Sequence, residues 1–130
     1  MTLYDSSVLI DYLDGDPAVA DYLEEHATER AVTPEFVLFE LYQGEVYKAA
    51  PADFDAVDEA LAWLTVVEDS SGFARAAAEL QVALRESGAT LAARDAFIAG
   101  AAHTLDEPLV ASDEDFTPLL DSEVLDVTLL

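Results

Sequence analysis

Apolar positions in this chain fall into two kinds of block, short runs of apolar and β-branched residues and longer stretches bounded by capping signals. The short runs predict strands at Met1-Thr2-Leu3-Tyr4, Arg30-Ala31-Val32-Thr33, Thr65-Val66-Val67, Leu109-Val110-Ala111 and Val124-Leu125-Asp126-Val127. The longer stretches predict helices. Ser6 to Leu13 forms a short one that ends near Asp14-Gly15, and Asp16-Pro17 caps a second that runs through His26. Pro34 opens a helix through Phe36-Val37-Leu38-Phe39-Glu40-Leu41-Tyr42 toward Lys48, and Pro51 restarts one that reaches Trp63-Leu64, giving a helical hairpin. Ser70-Ser71 caps a long helix to about Glu86, which Ser87-Gly88 stops. The last helix opens at Ala92-Ala93-Arg94-Asp95. Its run Ala96-Phe97-Ile98-Ala99-Gly100-Ala101-Ala102 is uncharged on every side, which predicts burial at the centre of the fold. A short Thr117-Pro118-Leu119-Leu120 segment separates the final two strands. Strands alternating with helices predict an α/β architecture, and no repeat, linker or low-complexity tract interrupts it.

Composition sharpens this picture. With 130 residues and 52% hydrophobic content, the chain is expected to form a single domain, residues 1–130, with a real core. The absence of cysteine excludes disulfides, thiolate metal sites and cysteine nucleophiles, and is compatible with a reducing compartment. No basic start with a long apolar region opens the chain, and no stretch reaches the roughly 18 uncharged apolar residues of a membrane span. A cytoplasmic protein with no membrane partner is expected.

Charge is the outlying property. The chain has 28 Asp and Glu against 5 Lys and Arg, a formal net charge of -23, with Lys48 its one lysine. Such a balance normally argues against nucleic acid, because binding a polyphosphate needs a basic surface that displaces counterions. The spread of acids over an ordinary core composition resembles proteins of salt-accumulating halophiles. At about 1 M salt the Debye length is only about 3 Å, so global repulsion fades and short-range contacts decide binding. Disorder would require low hydrophobicity, which this chain lacks.

Against so acidic a background, position singles out candidate ligands. Asp5 directly follows the first strand, Asp113 follows Leu109-Val110-Ala111-Ser112, Glu40 is the only charge between Phe36 and Tyr42, and Asp95 lies in the first turn of the Ala-rich helix. Ligand crevices of open parallel sheets lie at strand carboxyl ends, so Asp5 and Asp113 are placed to share one cleft. A buried Glu40 needs a cation, hydrogen bonds or a proton. Each acid also has a structural reading. Glu40 could pair with one of the four arginines, Asp95 could cap helix amides, and Asp113 could belong to a solvated Ser112-Asp113-Glu114-Asp115 turn. Arg94 fits either a salt bridge or a contact to substrate phosphate.

The order of these segments carries a resemblance. Leu3-Tyr4-Asp5-Ser6-Ser7-Val8-Leu9-Ile10-Asp11-Tyr12-Leu13, Phe39-Glu40-Leu41, Ala93-Arg94-Asp95-Ala96-Phe97-Ile98-Ala99 and Val110-Ala111-Ser112-Asp113-Glu114-Asp115-Phe116 together resemble the PIN-domain family, especially its VapC-type toxin ribonucleases. The resemblance implies a three-layer α/β/α fold with a short central parallel sheet of about 4–5 strands. It also implies Asp5, Glu40, Asp95 and Asp113 around Mg²⁺ or Mn²⁺, with Ser7 in a supporting hydroxyl position. The final motif varies in that family, so Asp115 could replace or join Asp113. Asp11 is assigned to the surface or to helix termination. RNA as substrate, hydrolysed by metal-activated water, follows from the resemblance, as do a small VapB-type antitoxin and a second toxin copy docking on exposed helices near Pro51.

Carboxylates alone suit such chemistry, since Mg²⁺ and Mn²⁺ prefer oxygen ligands and keep several waters. Other catalysts fit less well. His26 and His103 stand at helix ends, Ser7 lacks nucleophile-elbow glycines, and no phosphate-binding P-loop exists. Trp63, Phe36, Phe39, Tyr42 and Tyr47 read as core or interface rather than a base-stacking platform. The alternative function is a PIN-like module that binds a partner or RNA without cleaving it. A receiver-type phosphoacceptor domain would want a lysine at a late strand end, and none follows Lys48.

Overall fold

The computed structural model describes residues 1–68, 70–122 and 124–130, with only the backbone of Ser70. Five three- or four-residue strands, β1 (Thr2–Tyr4), β2 (Ala31–Pro34), β3 (Thr65–Val67), β4 (Leu109–Ala111) and β5 (Val127–Leu129), make one sheet. All neighbours are parallel, in the order β3-β2-β1-β4-β5. The helices are α1 (Ser6–Leu13), α2 (Pro17–Glu25), α3 (Glu35–Val46), α4 (Phe54–Ala60), α5 (Ser70–Glu86) and α6 (Ala93–Thr104), with a 3-10 helix over Glu114–Leu119. The chain builds outward from β1 through β2 to β3, then crosses back to β4 and β5. Right-handed crossovers place α1 to α4 on one face, and the reversal places α5, α6 and the 3-10 helix on the other. The expected α/β/α layering around a parallel sheet is thus borne out, at the upper end of the expected strand number.

Aspartates start several of these elements. Asp5, Asp16 and Asp53 each N-cap a helix, and Asp113 caps the 3-10 helix, accepting hydrogen bonds from backbone amides at 2.9–3.2 Å. Part of the chain's acidity therefore satisfies free amides and opposes helix dipoles. Gly88 stops α5 with a φ of +75°, which suits a residue without a side chain. The expected cap at Ser70 lies outside the described residues.

Two boundaries differ from expectation. The last strand is Val127–Leu129 rather than Val124–Val127, because its register is fixed by pairing Leu109 with Val127 and Ala111 with Leu129. The helix after Pro51 stops at Ala60, and the turn that follows carries Trp63, whose Nε1 donates to Ala60 O at 2.9 Å. Helix α3 is apolar around its circumference but buried only along Val37, Leu41 and Glu45, leaving Phe36, Phe39 and Val46 exposed. The core fills both sides of the sheet, with Leu3, Leu9 and Val37 among the fully buried side chains on one side and Phe73, Leu80, Ile98 and Phe116 on the other. Among the described residues no helix is long and apolar enough to cross a membrane.

The run Ala96 to Ala102 is buried as expected except at Phe97, which is half-buried, and Gly100 explains its small residues. A methyl group at Gly100 would lie 2.5 Å from Ala77 N and 2.6 Å from Phe73 O, so α5 and α6 meet backbone to backbone. Gly100→Ala is expected to destabilise the fold by about 1–3 kcal/mol, the overpacking cost outweighing roughly 1 kcal/mol of gained helix propensity, as a denaturant midpoint would read. Burial, with smaller pushes from Tyr22 and Glu29, raises the Tyr4 phenol to about 12. Unfolded tyrosine ionises near 10, so this contribution is complete below about pH 10 and is lost as pH climbs toward 12, a fall of about 2–3 kcal/mol. Phenolate absorbance and denaturant melts across that window should show Tyr4 ionising late and stability dropping.

Candidate metal centre

The order β3-β2-β1-β4-β5 reverses its direction of growth between β1 and β4, so the crevice of this sheet opens at their carboxyl ends. Asp5 leaves the end of β1, where its amide donates to Val110 O at 3.0 Å and its carboxylate is fully buried. Ser112 and Asp113 leave the end of β4 beside it. From the α1-to-α4 face, α3 brings Glu40, and from the opposite side the first turn of α6 brings Asp95. Four residues from four elements are thus delivered to one rim by the topology.

A cation holds three of them. Arg94 Nε and Nη2 donate to Glu40 Oε2 and Oε1 at 2.6 and 2.8 Å, a bidentate fork. Its Nη1 donates to Asp95 Oδ1 at 2.5 Å, and Nη2 also reaches Asp5 Oδ1 at 3.0 Å and the Ser6 hydroxyl. Ser7 locks the other oxygen of Asp5, donating from Oγ at 2.7 Å and from its amide at 3.2 Å. Ser7 Oγ in turn accepts from Ser112 N at 3.0 Å, and Ser112 Oγ donates to Asp11 Oδ2 at 2.8 Å. The β1 and β4 ends are therefore stitched together through hydroxyls beneath the acids.

Electrostatics follow from this packing. Burial works against the Arg94 charge, but its hydrogen bond to Glu40, the charges of Asp5 and Glu40 and the bond to Asp95 outweigh that cost and raise its pKa. Burial likewise pushes the Asp95 carboxyl up, Arg94 pulls it back, and Asp5 and Asp113 add repulsion. Three carboxylates against one guanidinium leave a strong local excess of negative charge. The donor set suits a hard, oxygen-seeking cation: carboxylate oxygens of Asp5, Glu40 and Asp95 converge, hydroxyls support them, and the guanidinium stands in for the charge. The fit is one of donor chemistry, since with Arg94 bound to them the acids as they stand form no group of three that could hold a metal, among the described residues.

The individual expectations separate here. The structure brings Asp5, Glu40 and Asp95 around one point, with Ser7 beneath Asp5. Asp113 is half-buried and near enough to repel Asp95, while its own carboxylate caps Asp115 N at 2.9 Å; Asp115 is exposed. Among the described residues no side-chain cap hydrogen bond is seen at the start of α6, so Asp95 stands in its first turn, where it complements the helix dipole, without capping an amide. The arginine pairing weighed for Glu40 is present, through Arg94. Asp11 is not simply surface, because it receives Ser112 from across the sheet. Ser6 and Asp11 were missed, and the hydroxyl-acid run Ser112-Asp113 was the one local signal that could have pointed to Asp11. His26 stacks on Tyr22 and meets Tyr22 O at 2.7 Å, and His103 is an exposed residue of the last turn of α6.

Comparison with known proteins agrees with this geometry. The family model for the PIN domain matches residues 2–119. Among curated proteins none matches this chain in sequence. Solved structures do: a chain of VapBC2 from Rickettsia felis, in a complex bound to a promoter DNA fragment, has a TM-score of 0.82 at 19% identity, covering 98% of this chain and 97% of that one. A toxin-antitoxin complex from Klebsiella pneumoniae matches with a TM-score of 0.77 at 19% identity, over 98% of this chain and 96% of that one. VapBC-5 of Mycobacterium tuberculosis, a member of the VapBC toxin-antitoxin family, matches with a TM-score of 0.72 at 28% identity, over 99% and 98%. With an acid-lined crevice at the sheet's switch point and a family match over nearly its full length, this chain belongs to the PIN domain family.

Proposed function

We propose that this chain is a divalent-metal-dependent endoribonuclease, the toxin of a VapBC-type toxin-antitoxin pair, acting on RNA in the cytoplasm. The observation that carries the reading is the convergence of Asp5, Glu40 and Asp95 on a single cation at the β1–β4 crevice. Asp5, Asp95 and Glu40 would hold Mg²⁺ or Mn²⁺, with Asp113 as fourth acid and exposed Asp115 supporting it. Such an ion, when bound, lowers the pKa of its water and offsets charge on the phosphoryl oxygens. The chain's own part is placement. Ser7 fixes Asp5 Oδ2 and leaves Oδ1 directed into the cleft, and Ser112 and Asp11 fix Ser7 in turn. Asp95, raised by burial and by its acidic neighbours, gains from any added positive charge.

The VapBC structures it resembles are toxin-antitoxin assemblies, which supports a small VapB-type antitoxin as partner; a homodimer is proposed as the toxin's own state. The surface that fits such partners is the exposed apolar side of α3 and its end, Phe36, Phe39, Val46 and Tyr47, the last 79% exposed. A catalytically silent PIN-like interaction or RNA-binding module is the second reading, favoured by the way Arg94 already satisfies all three acids.

RNA cleavage in high salt with Mg²⁺ or Mn²⁺ separates the two. Asp5→Asn and Asp95→Asn are expected to lower cleavage by more than the roughly 10–100-fold typical of losing an outer-shell partner, with the circular dichroism spectrum unchanged, and EDTA should abolish it. Full activity in either variant, or in EDTA, would refute the metal mechanism, whereas an inactive wild type that still binds RNA or a partner selects the silent module. For the partner surface, Val46→Glu with Tyr47→Glu should weaken self-association or antitoxin binding by about tenfold or more at unchanged melting temperature, as light scattering and titration calorimetry would read.

A further inference from the structure

Arg94 directs its hydrogen-bonding capacity at the same oxygens that a metal would need. It takes both oxygens of Glu40, Asp95 Oδ1 and Asp5 Oδ1, while Ser7 takes Asp5 Oδ2. A hard divalent ion requires such oxygens at about 2.0–2.1 Å in near-octahedral geometry. An ion reaching the lone pairs that face the guanidinium would lie in the volume the guanidinium fills, so the two occupants are alternatives. A planar fork is also wider than an ion. As the acid side chains stand around it, they form no group of three that could hold a metal among the described residues.

The arginine has a route out. Its side chain is 29% exposed and that of Glu40 21%, whereas those of Asp5 and Asp95 are 0% and 5% exposed, so the cation faces the opening and the two aspartates line the floor. Arg94 stands in the first turn of α6, next to Asp95, and release needs only side-chain rotation with the helix in place. Charge favours the exchange, because two positive charges offset three carboxylates better than one does. The released guanidinium stays tethered at the cleft mouth, and in a chain with one lysine and four arginines no other cation of the chain is seen paired with these acids among the described residues.

We propose that Arg94 is the resident counter-cation of this cluster, that a divalent ion must displace it to load, and that the displaced guanidinium then binds a phosphate oxygen of the RNA. This rests on the metal-nuclease reading and adds to it an order of events: exchange before substrate.

The full chain carries its own reporter. Its arginines are Arg30, Arg75, Arg85 and Arg94, so a nitrogen-proton correlation spectrum of arginine Nε shows four resonances, one of which vanishes in Arg94→Lys. Titration of the wild type with Mg²⁺ should shift that resonance from a strongly hydrogen-bonded to a solvent-like position and leave the other three in place. By calorimetry, Arg94→Ala should bind Mn²⁺ about tenfold more tightly or better, since the closed fraction no longer reduces apparent affinity. At saturating Mn²⁺ the same variant should show a raised KM for RNA, partly restored in Arg94→Lys. Metal binding that leaves the Arg94 resonance unmoved, Mn²⁺ affinity no tighter in Arg94→Ala, or an unchanged KM would each overturn the proposal. The wild-type titration decides the exchange even if Arg94→Ala does not fold. Metal-dependent cleavage with Arg94 unmoved sinks the exchange alone, whereas no Mn²⁺ binding in wild type or variant sinks the nuclease reading with it.

Discussion

Three carboxylates delivered to one partly dry crevice repel one another, and something positive has to sit among them. Here it is the guanidinium of Arg94, joined to Glu40, Asp95 and Asp5 at 2.5–3.0 Å. The contact ties α3, α6 and the end of β1 to a single point. Each acid comes from a different element, so a shift in any of those elements would break the cluster. The same demand for positive charge makes the crevice a cation site in the first place, and the surrounding hydroxyls hold the acids at a fixed orientation instead of letting them turn to solvent.

The remainder of the fold supports that rim. Parallel pairing of β1 with β4 puts Asp5 and Asp113 at adjacent strand ends, and the close approach of α5 to α6 at Gly100 seats the helix that carries Arg94 and Asp95. Ser7, Ser112 and Asp11 form a polar relay under the site, spanning 101 to 105 residues of sequence between its ends. The overall fold is shared with the VapBC structures at 19–28% identity, as expected when cores tolerate substitution so long as apolar volume and patterning are kept.

The heavy negative charge and the exposed apolar side of α3 answer different needs. Many acids cap helices or face solvent, and they make the wider surface hostile to polyphosphate at low salt. Phe36, Phe39, Val46 and Tyr47 are exposed apolar or aromatic side chains along one side and the end of the helix that also carries Glu40. The exposed apolar side chains and the Glu40 carboxylate at the crevice therefore share one helix.

Much was legible along the chain, for reasons of range. Strand and helix types, the Asp16 cap, the burial of Ala96 to Ala102 and the placing of acids at strand ends are local signals, acting within a few residues, and the α/β class follows from their alternation. Glu40 stood out because one charge interrupts an apolar run. What the sequence could not decide depends on contacts between distant residues. The pairing of Arg94 with Glu40 spans 54 residues and that with Asp5 spans 89, so neither leaves a local trace. The start of β5 was misplaced because Val124-Leu125 has the same apolar character as Val127 to Leu129, and only pairing with β4 selects between them. Which side of the apolar helix α3 is buried was equally hidden, because apolarity does not report which sides find neighbours. The residues by themselves determined which side chains could serve a cation; the crossing of the chain back over its own sheet decided that they meet, and that an arginine meets them there.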